Sequence, residues 1–279
     1  MDLLGPFPES SLGNRYIVVA TDCLSRYCET EALPRGTADE IANFFVQNIV
    51  LRLGAPAIFL TDRGTAFTSA LMQEVMRLSG TSHRKTTAYH PQTNGLTERL
   101  NKTIADMISM YVDADHRNWD AILPYVTFAY NTALQETTRF TPFRLVHGRE
   151  ATTMLDAMLL PTGSTSSVMG AAQFVRHAEA ARQLARQRIR HQHALDARRY
   201  NLRHRAVSYQ PGEQAWVWSP IRMRGRSEKL LRRYFGPYEV LSQVSEVNYE
   251  VLPQGTVRSS RRPTPEVVHV ARMKAYHAR

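Results

Sequence analysis

The chain has 279 residues, 43% hydrophobic and 22% charged, values of an ordinary globular protein that exclude wholesale disorder. Its longest apolar runs, such as Ile17-Val18-Val19-Ala20, fall far short of the about 20 residues that a membrane-spanning helix needs, and the first residues lack the basic start and apolar stretch of a secretory signal. The net charge of +10 is uneven: residues 1–150 hold 14 basic against 16 acidic side chains and residues 151–279 hold 21 against 9, which points to an anionic polymer, nucleic acid rather than membrane, as partner.

Residues 1–150 read as an α/β domain. Tyr16 to Ala20 is a β-rich run ending at polar Thr21-Asp22, and residues 27–33 form a partner strand closed by Pro34. Thr37-Ala38-Asp39-Glu40 has the capping-box form, and Ile41, Phe44, Phe45 and Ile49 follow at helical spacing. Pro56 breaks the chain before a short buried strand over Ala57–Leu60, which ends at Thr61-Asp62-Arg63-Gly64. A second helix covers roughly 68–79, and residues 86–95 form a loop rich in Thr, Pro, Asn and Gly. Leu96, Leu100, Ile104, Ile108 and Tyr111 mark a long helix with one apolar stripe, and Trp119 to Thr132 another apolar helix. Pro142 and Gly148 punctuate the end of the domain.

Residues 161–170 have linker composition, and 171–205 read as a solvated basic helix. Short strands at Gln214–Trp218, Tyr238–Leu241 and Tyr249–Leu252, separated by regular turns, predict a small β-barrel. Trp216 and Trp218 are either stacking platforms or core residues; they share one face, which favours the core. The two cysteines, Cys23 and Cys28, cannot make a four-cysteine zinc site and are expected to be buried structural thiols.

Hard divalent cations take oxygen ligands, and a two-ion centre needs about three carboxylates from separate elements. Asp2 sits in the first apolar segment. Asp62 follows a buried strand directly, and Glu98 lies near the start of the long helix, with 35 residues between the two. Taken alone, such residues are most often a turn aspartate and a helix-dipole glutamate.

Their surroundings carry more information. Thr61-Asp62-Arg63-Gly64-Thr65-Ala66-Phe67 and Tyr89-His90-Pro91-Gln92-Thr93-Asn94-Gly95-Leu96-Thr97-Glu98-Arg99 together resemble the catalytic core of retroviral-type integrases, most closely those of Gypsy-like LTR retrotransposons. Val18 to Tyr27, Ala129 to Thr132 and Thr141 to Arg149 match further. Lys229 to Tyr238 looks like the family's GPY/F module, and Val268 to Lys274 like its closing segment.

The resemblance implies an RNase H-like core over residues 1–150 with a five-stranded mixed sheet, a linker and basic helix over 151–206, and a small SH3-like β-barrel over 207–279 that binds DNA. It implies Asp2, Asp62 and Glu98 as catalytic and metal-binding carboxylates. Asp22 competes for the first place, but its match is a non-catalytic position of the second strand. The implied activity is that of a metal-dependent DNA integrase, a nucleotidyltransferase and endonuclease with two Mg2+ or Mn2+ ions. It trims cDNA 3′ ends and joins them to target DNA. The alternative is a catalytically impaired or domesticated DNA-binding derivative. Tyr89, Asn94, Lys102, Arg232 and Arg233 are candidate DNA contacts, with a solvated lysine the bland reading of Lys102. The implied partners are double-stranded DNA and further copies of the chain, with no membrane, and the implied location is the nucleus after a cytoplasmic particle stage. The family's zinc module and the start of its first strand do not occur in this sequence, as expected of a polyprotein fragment. A free ammonium beside Asp2 would repel a divalent cation.

Overall fold

The computed structural model describes residues 1–85, 95–153, 156, 158, 170–203, 207–219, 233–254 and 264–277. They fall into two compact units, the first reaching from Met1 to Tyr200 and the second following it.

In the first unit, β1 (Asp2–Leu4), β2 (Tyr16–Thr21) and β3 (Cys28–Leu33) form an antiparallel sheet in the order β1-β2-β3. The run Ile17 to Ala20 is buried throughout, because the pleat sends alternate side chains into two different layers. Val18 and Ala20 pack with Ile41, Phe44, Phe45, Met72 and Met76. Ile17 and Val19 pack with Leu100, Ile104, Ile108, Trp119 and Leu123.

The first layer comes from α1 (Ala38–Phe44) and α3 (Ala70–Leu78). The capping box that opens α1 is complete: Glu40 N–H donates to the Thr37 hydroxyl, and Thr37 N–H to the Glu40 carboxylate. The helix then widens into a π-helical segment over Phe45–Val50, which a 3.6-residue period could not show, and ends in α2 (Leu51–Leu53). Two further strands, β4 (Ile58–Thr61) and β5 (Ser82–Lys85), pair in parallel. The expected five-stranded mixed sheet is therefore, among the described residues, a three-stranded antiparallel and a two-stranded parallel group. The three residues of β1 pair with β2, and the Met1 ammonium donates to Leu60 O of β4 at 2.8 Å, a contact too short to make a ladder.

The second layer is α4 (Gly95–Ser109) and α5 (Trp119–Thr132). The stripe on α4 ends at Ile108; Tyr111 lies past the helix and is exposed. Trp119 Nε1 donates to Pro8 O at 2.9 Å, and the buried Asp120 carboxylate accepts from Ser10 Oγ and Asn14 Nδ2 at 2.5 and 2.9 Å. At the other end of α5, buried Asn131 accepts from Cys28 N–H at 2.9 Å and donates to Cys28 O at 2.8 Å. Cys28 is buried as expected, whereas Cys23 is exposed in the turn after β2.

Residues Pro142–His147 form a short helix, α6, rather than mere punctuation. Thr141 caps it, and Gly148 ends it at a φ of +75°. A side chain at Gly148 would put its Cβ 2.6 Å from the tip of the Phe174 ring of α7 (Ala171–Arg203), which would have to turn aside, and the left-handed φ itself favours glycine. The basic helix is thus not wholly solvated. Ala178, Ala181, Ala185 and Ile189 form a buried stripe, of which Ala181 and Ala185 pack on Leu145. Arg182 donates to the otherwise orphaned carbonyls of Leu145 and Val146 at 2.9 and 3.0 Å. Arg188 donates to Thr138 O at 2.7 Å and lies over the Phe140 ring.

The second unit is an antiparallel five-stranded sheet in the order β10-β6-β7-β8-β9. Its strands are β6 (Gln214–Trp218), β7 (Tyr234–Ser245), β8 (Asn248–Pro253), β9 (Glu266–His269) and β10 (Met273–Ala275), with a 3-10 turn, Val270–Arg272, joining the last two. The core holds Ala215, Val217, Val240, Tyr249, Val251, Val268 and Met273. Trp216 and Trp218 share one face, but it is the opposite one, because Ala215 and Val217 take the core positions of β6. Trp216 stacks instead near Tyr276, with ring centroids 5.0 Å apart.

Among the described residues no helix is long and apolar enough to cross a membrane. The Asn131 amide gives a direct test of the α5–β3 contact. Asn131→Ala leaves Cys28 N–H and C=O without partners and is expected to lower unfolding stability by about 2–4 kcal/mol, measured by urea denaturation.

Candidate active site

The site is built where β1 starts and β4 ends, beside α4. β1 begins at Asp2, whose register opposite Val19 is set by the buried strand β2. One Asp2 oxygen accepts from Leu3 N–H at 2.9 Å and the other from Asn101 Nδ2 at 2.8 Å. Asp62 follows β4 directly, and its Oδ1 accepts from Gly64 N–H at 2.8 Å. A Cβ at Gly64 would lie 3.0 Å from that oxygen, so the Asp-x-Gly spacing lets the carboxylate fold over its own turn. Thr61 Oγ1 donates to Asp62 O at 2.8 Å and lies 2.8 Å from His83 Nε2 of β5.

Asp2 and Asp62 are near enough to interact. Burial lifts the Asp2 carboxyl above its ordinary range, and the charge of Asp62 adds to that rise. The hydrogen bonds from Leu3 and Asn101 and the Met1 ammonium oppose it. Burial lowers the Met1 ammonium in turn, against the attraction of Asp2, Cys23 and Asp62. That cation stands in the same cleft as the two carboxylates.

Glu98 is exposed in the first turn of α4, one turn before Asn101. Lys102 follows Glu98 by four residues and is also exposed. Arg233, just before β7, is exposed in the second unit. Tyr89, Asn94 and Arg232 lie outside the described residues. The structure thus brings Asp2 and Asp62 together and ties α4 to Asp2 through Asn101. Among the described residues no group of three His, Cys, Asp or Glu side chains is placed to hold a metal ion, so Glu98 does not complete a cluster with the two aspartates. Sequence reasoning misses Asn101, although a signal for it exists: it stands three residues after Glu98 on a helix, hence on a neighbouring face. Its Oδ1 is buried and has no hydrogen-bond partner among the described residues.

Comparison with known proteins shows what the chain is similar to. Residues 1–91 match the family described as integrase core domain, and residues 236–275 match the integrase p58 C-terminal domain. The chain is thus similar to models of two integrase domains, in that order. Its relatives are retrotransposon polyproteins: it is 24% identical over 282 residues to the retrovirus-related Pol polyprotein from transposon 412 of Drosophila melanogaster, covering 100% of this chain and 22% of the relative. It is 25% identical over 280 residues to the transposon Tf2-3 polyprotein of Schizosaccharomyces pombe, covering 99% of this chain and 20% of the relative. The chain therefore spans about a fifth of the length of these polyproteins. In fold it is similar, at a TM-score of 0.59 and 14% identity, to a chain of the simian T-cell lymphotropic virus intasome in complex with PP2A regulatory subunit B56 gamma, covering 99% of this chain and 78% of the other.

The raised carboxyl has a consequence for stability. The folded state holds the Asp2 proton more tightly than the unfolded chain, so stability is greatest at low pH in this respect. It falls as pH rises from the ordinary value of 3.8 through the raised one. Asp2→Asn removes the charge and keeps one acceptor oxygen, for Leu3 N–H, while a turn of the Asn101 amide offers its Oδ1 to the new Nδ2. It is expected to raise Tm by a few degrees at pH 7, with the gain vanishing below the ordinary carboxylate value, as read by thermal melts across pH.

Proposed function

We propose that this chain is an integrase-type polynucleotidyl transferase that trims cDNA 3′ ends and joins them to target DNA. The observation that carries the reading is the pairing of Asp2 with Asp62 at the ends of two strands, with the Glu98 helix held to Asp2 by Asn101. The donor set fits hard divalent cations in kind. Two carboxylates press on each other, and the Asn101 Oδ1 beside them is buried and unpaired among the described residues. Asp2, Asp62 and Glu98 would hold Mg2+ or Mn2+. When bound, such ions activate the attacking oxygen and stabilise the leaving one. The protein's own part is to fix the carboxylates: Gly64 and Leu3 hold each aspartate by a backbone N–H, and Asn101 orients Asp2.

The five strands of the first unit are proposed to act as one mixed sheet across the Met1–Leu60 contact, and the second unit as an SH3-like barrel. The division at 1–150, 151–206 and 207–279 is kept as a functional one, with α7 serving both as linker and as a brace on the core. Tyr89, Asn94, Lys102, Arg232 and Arg233 contact DNA phosphates and ends. The working form is a homo-oligomer on double-stranded DNA, in the nucleus after a cytoplasmic particle stage.

A second reading, an impaired or domesticated DNA-binding derivative, is favoured by one observation: Glu98 does not close the cluster. Joining of a branched DNA substrate with Mg2+ or Mn2+ separates the two. The proposal expects metal-dependent joining that EDTA abolishes and that Asp62→Asn lowers by about a hundredfold or more, the scale of losing one preorganised electrostatic group, with DNA binding retained. DNA binding without joining supports the second reading.

A further inference from the structure

Asp62 stands one residue beyond β4, and the last described pair of the parallel ladder with β5 is Thr61 opposite Lys85. Two bonds hold Asp62 past the end of that ladder. Its Oδ1 accepts from Gly64 N–H at 2.8 Å, which sets the carboxylate against the turn. Its carbonyl oxygen accepts from the Thr61 hydroxyl, also at 2.8 Å, which sets the peptide that follows.

The Thr61 hydroxyl has little freedom of its own. Thr61 is 0% exposed, so water cannot supply what the protein does not. A hydroxyl has one hydrogen and two lone pairs. With that hydrogen on Asp62 O, the 2.8 Å contact with His83 Nε2 is a bond that His83 donates. His83 is in register with Phe59, two residues before Thr61, and so shares its side of the ladder. The His83 ring lies 6.0 Å from that of Phe59, which is buried against Phe45 at 4.8 Å between ring centroids. The core thus braces the imidazole, the imidazole holds the hydroxyl, and the hydroxyl holds the Asp62 backbone. Hydrogen bonds in such a chain polarise one another, so each strengthens the next. Valine would fill the same strand position with no hydroxyl to satisfy. The polar pair stands instead at the strand residue next to Asp62.

We propose that His83 and Thr61 are positioning residues for Asp62, His83 acting through the Thr61 hydroxyl to fix the turn that presents the carboxylate to a divalent cation. This rests on the reading of Asp62 as a metal-binding carboxylate and adds a supporting pair behind it. Both residues act through Asp62 and neither meets the cation or the DNA.

The test uses the full chain and reads Mn2+ uptake directly, by loss of the free-ion electron paramagnetic resonance signal. Joining of a branched DNA substrate over a Mn2+ series is measured alongside. Outer partners of metal ligands are worth about 10- to 100-fold in metal affinity or activity. Thr61→Val keeps the shape and removes the hydroxyl, and His83→Ala removes the donor. Each should weaken Mn2+ binding, and raise the Mn2+ concentration for half-maximal joining, by about tenfold, the lower end of that range because the pair acts through the backbone. DNA affinity should not change. Thr61→Ser and His83→Gln, which keep a hydroxyl and an N–H of similar reach, should restore most of both. Circular dichroism confines the comparison to folded variants, and half-buried His83 reports even if Thr61→Val does not fold. Parent-like Mn2+ binding in Thr61→Val and His83→Ala, with uptake and joining by the parent intact, overturns the positioning role and leaves the integrase reading standing. An equal loss in His83→Gln and His83→Ala, or a loss in Thr61→Ser that Thr61→Val does not share, assigns the effect to packing and likewise overturns it. A parent chain that binds DNA but neither takes up Mn2+ nor joins overturns the reading of Asp62 as a metal-binding carboxylate, and the positioning role with it.

Discussion

Four consecutive residues, Ile17 to Ala20, have almost no contact with water, and most of the first unit is arranged by that fact. A strand buried on both faces needs a layer on each side, and the two sets of helices supply them. Because its side chains alternate, a slip of one residue would exchange the two layers. The register is therefore fixed, and everything attached to it inherits a fixed position. β1 pairs along β2 so that Asp2 stands opposite Val19. The far end of the same strand leads into the turn that carries Asp22, Cys23 and Arg26. One apolar strand thus fixes the place both of Asp2 and of that turn.

The positive charge of the chain does several different things. Arg182 and Arg188 direct their hydrogen bonds to backbone carbonyls at the end of α6 and at Thr138, and their stems pack α7 onto the core. Arg186 is paired with Glu179 on the exposed side of that helix. Arg272 is buried in the second unit and donates to Trp218 O. The basic residues over 151–279 therefore overstate the charge available to a polyanion. Exposed cations such as Lys102, Arg233 and Lys274 are better placed to meet one.

Regular periodicity and capping are legible in the sequence: β2, β3, α1, α4 and α5 follow from apolar spacing, the Thr37–Glu40 box and the prolines. The short strands β1 and β10 and the helix α6 are harder, because three to six residues carry too little pattern. The π-helical stretch at Phe45–Val50 has no sequence period of its own. Asp62 is legible through its strand-end position and Gly64. Asn101 and His83 are not, since the first depends on which face of α4 meets β1 and the second on how β5 pairs with β4. The tryptophans of β6 show the limit of alternation, which groups Trp216 with Trp218 but does not say which face is inside. A solvated reading of α7 fails for a related reason, because alanines at 178, 181 and 185 make a stripe too weakly apolar to stand out among arginines.

The pairing of Asn131 with Cys28 also bears on the open edge of the sheet. β3 is the outer strand of its sheet, and an outer strand offers unpaired N–H and C=O groups to any extended peptide nearby. At Cys28 both groups are already taken, by a side-chain amide with the geometry of a neighbouring strand. Two residues along, the Thr30 and Thr127 hydroxyls are hydrogen-bonded to each other, which holds α5 against the strand without taking up its backbone groups. The α5 amide therefore closes that end of β3 to an added strand, leaving less open backbone there for an extended peptide to join.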